Sequence, residues 1–80
     1  MVQYKASVAR DLKKIDKTQA RTLIAKLEGA LGANPDIGEP LKGEFRGLFK
    51  YRAGNYHVIY SKAVHGVLVL RIAHRKEVYR

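Results

Sequence analysis

The start of the chain changes from an alternating to a helical spacing of apolar positions. Residues 2–7 alternate apolar and polar side chains, as a short strand does. Val8, Leu12 and Ile15 then recur at the spacing of a helix face, and Ser7 is a candidate cap at its start. The pattern therefore predicts a short strand followed directly by a helix.

A second helix is predicted to begin at Asp16. Asp16 followed by Gln19 resembles a capping box, while Gly32 is a candidate C-cap with Pro35 just beyond it. The apolar stripe of this helix consists of Ala20, Leu23, Ile24, Leu27 and Leu31. Because the two helices meet at Asp16, we expect an αα-hairpin whose apolar stripes need a sheet to cover.

The second half of the chain is typical of strands separated by tight turns. Residues 34–46 hold Gly38, Gly43 and both prolines, and are predicted to form a loop. Three runs rich in Val, Ile, Leu, Tyr and Phe follow at residues 47–53, 56–63 and 67–74.

Two turns are expected between these runs, at Gly54–Asn55 and at His65–Gly66. The order β-α-α-β-β-β then predicts an α+β fold, with two N-terminal helices packed on a twisted antiparallel sheet of about four strands. At 80 residues, the chain is expected to form a single domain spanning 1–80.

A two-residue turn at Gly54–Asn55 fixes which side chains share a face of the sheet. It pairs Arg52 with His57 and Lys50 with Ile59, so these basic residues are expected together on one uncovered face. The opposite face, which the helices would cover, carries Phe49, Tyr51, Tyr56, Val58 and Tyr60. Since directly opposed cations repel, the pair of Arg52 and His57 favours an anion between them.

The basic C-terminal run adds further candidates to this patch. In an antiparallel meander the end of strand 67–74 lies beside the start of strand 56–63, so Arg75 and Tyr79 are expected near His57. Arg and Lys can stabilise charge developing on a phosphate, and a histidine titrates near neutrality and can move a proton. An exposed tyrosine such as Tyr79 can stack on a base.

Each of these residues also has a simpler interpretation. Lys and Arg on an edge strand protect a protein from aggregation, and Tyr79 alone would be a packing residue. His57 alone would be an exposed residue of the sheet. The pattern by itself therefore leaves a nuclease and an RNA-binding module both open.

The charge balance agrees with a polyanion as partner. Sixteen Lys and Arg against seven Asp and Glu give a net charge of +9, which suits RNA, DNA, an anionic membrane or an acidic protein segment. No apolar run approaches the roughly 20 residues of a membrane span, and charges stand where a signal peptide would be apolar. With no cysteine in the chain, we expect a cytoplasmic protein without membrane contact.

Other kinds of chemistry find little support in the sequence. The three histidines have no ligand-like spacing, and the scattered carboxylates offer no evident pair for a metal or for acid–base work. Ser7 and Ser61 lack a Gly-x-Ser-x-Gly context, and no phosphate-binding glycine loop is present. We therefore expect neither a metal nor a cofactor. Strand cleavage would have to be metal-independent, which RNA permits because its own 2′-OH can be the nucleophile.

Two long segments carry a familiar combination of motifs. They are PLKGEFRGLFKYRAGNYHVIYS at residues 40–61 and VLVLRIAHRKEVYR at residues 67–80, and ASVARDLKKI at residues 6–15 adds a matching first helix. Together they resemble the RelE/ParE toxin superfamily, and specifically its RelE branch. The recurring pattern of this family begins with a Leu-x-Gly loop and a strand that carries Lys and Arg. A strand similar to Gly-x-Tyr-Arg-Val-Ile-Tyr and a C-terminal motif similar to Ile-x-His-Arg-x-x-Val-Tyr follow. The resemblance implies two helices on a twisted antiparallel sheet, in the toxin of a type II toxin–antitoxin system.

The resemblance also implies an activity and a set of site residues. Members are ribosome-dependent endoribonucleases that cut mRNA in the A site and inhibit translation. Lys50 and Arg52 match the two basic residues of the family's first catalytic strand, and Arg75 and Tyr79 match its C-terminal arginine and tyrosine. His57 falls where many members place an arginine, which removes a permanent charge but supplies a group able to accept a proton.

The implied reaction is in-line attack of the 2′-OH on the adjacent phosphate, giving a 2′,3′-cyclic phosphate. Lys50 and Arg52 would stabilise the phosphorane, Arg75 would stabilise or protonate the leaving group, and Tyr79 would orient the nucleotide. His57 would be either the general base or the mark of a weakened enzyme. The implied partners are a cognate antitoxin and the 70S-type ribosome with its mRNA, and DNA only indirectly through the antitoxin complex.

Two other functions stay open at this point. One is a ParE-like toxin that inhibits DNA gyrase, for which the set of Lys50, Arg52, Arg75 and Tyr79 has no evident use. The other is a catalytically weak member that binds only RNA or an antitoxin.

Overall fold

Two helices pack on one face of a five-stranded sheet in the computed structural model, which describes residues 1–74 and residue 76. The helices are α1, Ala6–Lys13, and α2, Lys17–Ala33. The strands are β1, Val2–Tyr4; β2, Glu39–Pro40; β3, Leu48–Ala53; β4, Tyr56–Ala63; and β5, Gly66–His74. This architecture confirms the predicted α+β fold with its helical hairpin on a sheet.

The sheet is mixed, with the order β1-β5-β4-β3-β2. Strands β2 to β5 pair with their neighbours antiparallel, whereas β1 pairs with β5 parallel, with Val2 opposite Val67. The expectation of a wholly antiparallel sheet is therefore wrong at β1. Local turn signals determine how adjacent strands pair, but they carry no information on where a strand from the other end of the chain docks.

The segment predicted as a loop, residues 34–46, contains regular structure. Its residues 39–40 form the edge strand β2, in which Glu39 is opposite Lys50 and Pro40 opposite Phe49. A short 3₁₀ turn, Gly43–Phe45, follows. Two residues are too few to show a strand periodicity, and a proline is compatible with an edge strand because its missing N–H faces away from the ladder. The sheet consequently has five strands instead of about four.

The ends of the helices agree only in part with the sequence signals. Asp16 caps α2 as predicted, because its carboxylate accepts hydrogen bonds from the backbone N–H groups of Thr18 (3.0 Å) and Gln19 (3.3 Å). The prediction of Gly32 as the C-cap is wrong, since α2 continues to Ala33. Ser7 is likewise not a cap: α1 begins after Lys5, and the Ser7 hydroxyl donates to the sheet instead, to the carbonyl of Leu70 at 2.7 Å.

The first predicted hairpin register is confirmed. Strands β3 and β4 pair Ala53 with Tyr56 and Arg52 with His57 across a two-residue turn, in which Gly54 has a φ of 61°. The second turn lies at Val64–His65, one residue earlier than predicted.

The core lies between the helices and the predicted aromatic face of the sheet. Val58 and Tyr60 are fully buried, together with Leu27 and Leu31 of α2 and Val8 of α1. Phe49, Tyr51 and Tyr56 are partly buried and pack against this cluster. Because side chains alternate along a strand, Lys50 and Arg52 of β3 point away from the helices. His57 and Ile59 of β4, which pair with them, point to the same side.

The hydroxyl of Tyr60 also holds the segment that follows α2. It donates to the carbonyl of Pro35 at 2.8 Å and accepts from the backbone N–H of Gly38 at 2.9 Å. A Cβ at position 38 would lie within 2.6 Å of this hydroxyl, so only glycine fits. These hydrogen bonds fix the path of the chain between the end of α2 and the edge strand β2.

Among the described residues, neither helix is both long and apolar enough to cross a membrane.

Candidate nucleic-acid interface

Three of the predicted site residues share the face of the sheet that points away from the helices. Arg52 is directly opposite His57 in the β3–β4 pairing, and Lys50 is opposite Ile59. Opposed side chains of this kind lie about 4.5–5.5 Å apart at Cβ, and residues two apart on one strand are neighbours on the same face. The hairpin therefore brings Lys50, Arg52 and His57 together. We call this group, with Ile59 between its members, the cationic face.

The three side chains differ in exposure. Arg52 is exposed and Lys50 is half-buried, whereas His57 is buried, with 8% of its surface exposed. The interpretation of His57 as an exposed sheet residue is therefore wrong. Its strand, β4, is the central strand of the sheet, so His57 is flanked by Arg52 on one side and by Ala73 on the other. Solvent and ligands reach Arg52 more easily than they reach the imidazole.

The end of β5 lies beside the start of β4, as the meander predicts. His57 is opposite Ala73 and Tyr56 is opposite His74. The other two predicted site residues, Arg75 and Tyr79, lie outside the described residues, so their positions relative to His57 stay predictions.

One carboxylate of the cationic face was not predicted from the sequence. Glu39 of β2 is directly opposite Lys50, so both side chains point to the same side of the sheet. Glu39 is exposed. Its place on this face was not predicted because β2, with two residues, is too short to be recognised as a strand from the sequence. The cationic face is therefore bordered by a negative group at its β2 edge.

An ion pair with a buried carboxylate attaches α1 to β5. Asp11 of α1 accepts hydrogen bonds from Arg71 Nε (3.0 Å) and Nη2 (3.1 Å), and from the backbone N–H of Ile72 (2.9 Å). Burial raises the pKa of Asp11, but the bonds from Arg71 and Ile72 outweigh that effect, so its pKa lies below its ordinary value. Asp11 thus clamps α1 to the C-terminal part of β5, at Arg71 and Ile72.

The sequence carried a signal for this clamp. Asp11 lies three residues after Val8 and four before Ile15, which places a carboxylate on the apolar side of α1. A charge buried in that position requires an ionic or hydrogen-bonding partner. Both partners of Asp11 follow directly after a β-bulge in β5, where Ile59 pairs with Arg71 but Tyr60 pairs with Val69.

The donor groups offer little to a metal ion. Within residues 1–74 and 76, no three His, Cys, Asp or Glu side chains lie close enough together to hold one. What the cationic face can do chemically is bind and polarise an anion through Arg and Lys side chains.

The fold and this face define a class: a small basic α+β protein that presents cations on a β-hairpin. The family model for the ParE toxin of type II toxin–antitoxin systems matches residues 2–79. Toxin RelE of Mycobacterium tuberculosis (strain ATCC 25618 / H37Rv) is 34% identical over 82 residues, covering 99% of this chain and 84% of the relative. The chain therefore belongs to this toxin family, and within it to the RelE type.

Solved structures agree with this assignment. A chain in the crystal structure of the toxin–antitoxin complex RelBE2 from Mycobacterium tuberculosis superposes with a TM-score of 0.85 at 29% identity, covering 94% of this chain and 96% of that one. YafQ from Escherichia coli strain BL21(DE3) superposes with a TM-score of 0.74 at 15% identity, covering 100% and 98%. The second similarity concerns the fold alone.

Proposed function

We propose that this toxin is a metal-independent endoribonuclease that cuts mRNA in the ribosomal A site and so inhibits translation in the cytoplasm, with residues 1–80 acting as one domain. The observation that supports it best is the register of the β3–β4 hairpin, which sets Arg52 and His57 opposite each other with Lys50 beside them. Such a cluster suits a phosphodiester, because its charge increases as the phosphorane forms. The family assignment and the net charge of +9 agree with it.

In the proposed reaction the 2′-oxygen attacks the adjacent phosphorus and the bond from phosphorus to the 5′-oxygen breaks. The products are a 2′,3′-cyclic phosphate and a 5′-OH. Lys50 and Arg52 stabilise the phosphorane, and His57 accepts the proton of the 2′-OH. Arg75 stabilises or protonates the leaving oxygen, and Tyr79 stacks on a base.

The test is cleavage on ribosomes programmed with a defined codon in the A site. Arg52→Ala is expected to lower the cleavage rate at least a hundredfold, on the order of the loss seen when one group that stabilises a developing oxyanion is removed. His57→Gln tests proton transfer, and His57→Arg tests charge alone. An Arg75→Ala variant should lose cleavage while remaining folded. Lys62→Ala, which removes a cation of β4 outside the cationic face, is the control. Equal rates for Arg52→Ala and wild type would contradict the proposal.

We also propose a cognate antitoxin as partner, because relatives of this fold are found in toxin–antitoxin complexes. The antitoxin should place acidic residues on the cationic face and should raise the thermal midpoint of the toxin by mass action. Contact with DNA would then occur only through that complex. A thermal midpoint that does not change with added antitoxin would contradict this part.

A second candidate is inhibition of DNA gyrase. It is favoured by the family model, which is named for ParE and spans residues 2–79. Inducing the toxin and examining both nucleic acids separates the two functions. Fragmented mRNA with intact DNA supports the nuclease, whereas intact mRNA with broken or supercoiling-arrested DNA supports the gyrase inhibitor.

A further inference from the structure

A groove of about 410 Å³ lies between the N-terminal half of α2 and the β3–β4 turn. Its volume is in the range of small-molecule sites. The lining residues with hydrogen-bonding or charged side chains are Thr18, Gln19, Thr22, Lys26, Asn55, Tyr56 and His74. None of its lining residues is a carboxylate, so it suits an electron-rich or anionic ligand.

The groove is adjacent to the cationic face. Ala53 and Tyr56 line it, and in the chain they are the immediate neighbours of Arg52 and His57. Because successive side chains of a strand point to opposite faces, the groove and the cationic face are on the two sides of one hairpin end. Only the Gly54–Asn55 turn separates them. Gly54 and Asn55 themselves line the groove, so an RNA strand that passes around this turn would meet both surfaces.

The walls of the groove suit a base. The Tyr56 ring is held in place by its hydroxyl, which donates to Gln19 Oε1 at 3.2 Å, and by an edge contact with His74 at 5.5 Å between ring centres. Aromatic rings of this kind stack on single-stranded bases. Because Gln19 Oε1 already accepts from Tyr56, the Gln19 carboxamide has its N–H groups to donate to a base edge, and Asn55 adds a second carboxamide. Such a donor suits the N7 acceptor of a purine.

We infer that this groove binds the purine base of the nucleotide next to the scissile phosphate, with Gln19 and Asn55 contacting its edge and Tyr56 stacking on it. The inference rests on the proposed ribonuclease function and adds a determinant of base preference, which comes in part from α2. Lys26, at the α2 side of the groove, contacts the phosphate that follows.

The direct test is an NMR titration with short single-stranded RNAs that carry a 2′-deoxy sugar at the cleavage position, so that no reaction occurs. The probes are trinucleotides with a purine or a pyrimidine at the flanking position. The side-chain amide signals of Gln19 and Asn55 should shift, and the purine probe should bind roughly tenfold more tightly, as expected for one good pair of base contacts. Equal affinity for both probes, or shifts limited to the cationic face, would overturn the inference.

Gln19→Ala should reduce the purine preference toward unity while the pyrimidine affinity changes less than twofold. Gln3→Ala is the matched control, because Gln3 is an exposed glutamine on β1 that does not line the groove. If Gln19→Ala weakens binding of an antitoxin peptide and leaves the purine preference intact, the groove is a protein-binding surface and the inference fails.

Failure of the groove and failure of the nuclease give different results. A purine preference that depends on Gln19, in a protein that leaves mRNA uncut on programmed ribosomes, supports the groove and refutes the nuclease. Ribosomal cleavage that is insensitive to Gln19→Ala and to the flanking base supports the nuclease and refutes the groove.

Discussion

Replacing Asp11 with alanine should destabilise the fold severely. The change removes the acceptor of three hydrogen bonds and leaves the buried N–H of Ile72 without its partner. A buried donor that loses its partner costs about 1–3 kcal/mol. The Arg71 side chain is 60% exposed, so loss of the ion pair should add only about 0.5–1 kcal/mol after solvent screening.

The expected total is about 1.5–4 kcal/mol, which is a large part of the roughly 4–12 kcal/mol that a chain of 80 residues has available. Urea unfolding followed by circular dichroism measures it, and the midpoint should fall by about 1–2 M. Arg71→Ala should cost less, because it leaves the bond from Ile72 to Asp11 intact. The double variant then gives the coupling energy of the pair. A loss below about 0.5 kcal/mol for Asp11→Ala, the size of an ordinary surface substitution, would refute the reasoning.

The contact between Asp11 and β5 also predicts that the free energy of unfolding decreases at acidic pH. We call this decrease the acid limb. The pKa of Asp11 is lowered in the folded state from its ordinary value of 3.8. The unfolded chain therefore binds more protons below that value, so the contribution is fully present above pH 3.8 and is lost as the pH falls through the folded pKa. Asp11→Asn, which keeps an acceptor for Ile72 but cannot titrate, should flatten this limb in urea titrations between neutral pH and pH 2. An unchanged acid limb would show that other carboxylates cause it.

Three further predictions concern single contacts. Glu39→Gln removes the carboxylate beside Lys50 and should raise the affinity for single-stranded RNA about two- to fivefold at low salt, as measured by fluorescence anisotropy. An unchanged affinity would mean that the bound RNA does not pass near Glu39. Tyr60→Phe leaves the N–H of Gly38 without its acceptor and should cost about 1–3 kcal/mol in urea unfolding, whereas a neutral result would mean that water replaces the hydroxyl. Gly66→Ala should destabilise by at least about 1 kcal/mol, because φ at position 66 is 147° and an added Cβ would collide with the carbonyl of Met1; a stabilised variant would contradict that geometry.

The sequence predicted well those features that local signals determine. The pairing of Arg52 with His57 followed from one two-residue turn and from strand alternation, and the structure has that pairing. The Asp16 cap followed in the same way from a short motif. These predictions needed no knowledge of the rest of the chain.

Features that depend on distant parts of the chain were missed. The parallel docking of β1 on β5 and the burial of His57 both depend on which strands become neighbours in the sheet. Glu39 joined the cationic face only because a two-residue strand formed there. The groove beside α2 needs the relative position of a helix and a turn, which no pattern of residue types encodes.

The parallel pairing of β1 with β5 has a consequence for how the toxin is made. Strand β1 can enter the sheet only after β5 has been synthesised, since Val2 pairs with Val67. Contacts so far apart in the chain form slowly and late. Until then the sheet that covers the apolar stripes of α1 and α2 is incomplete, so we expect the nascent chain to expose these stripes to chaperones and proteases.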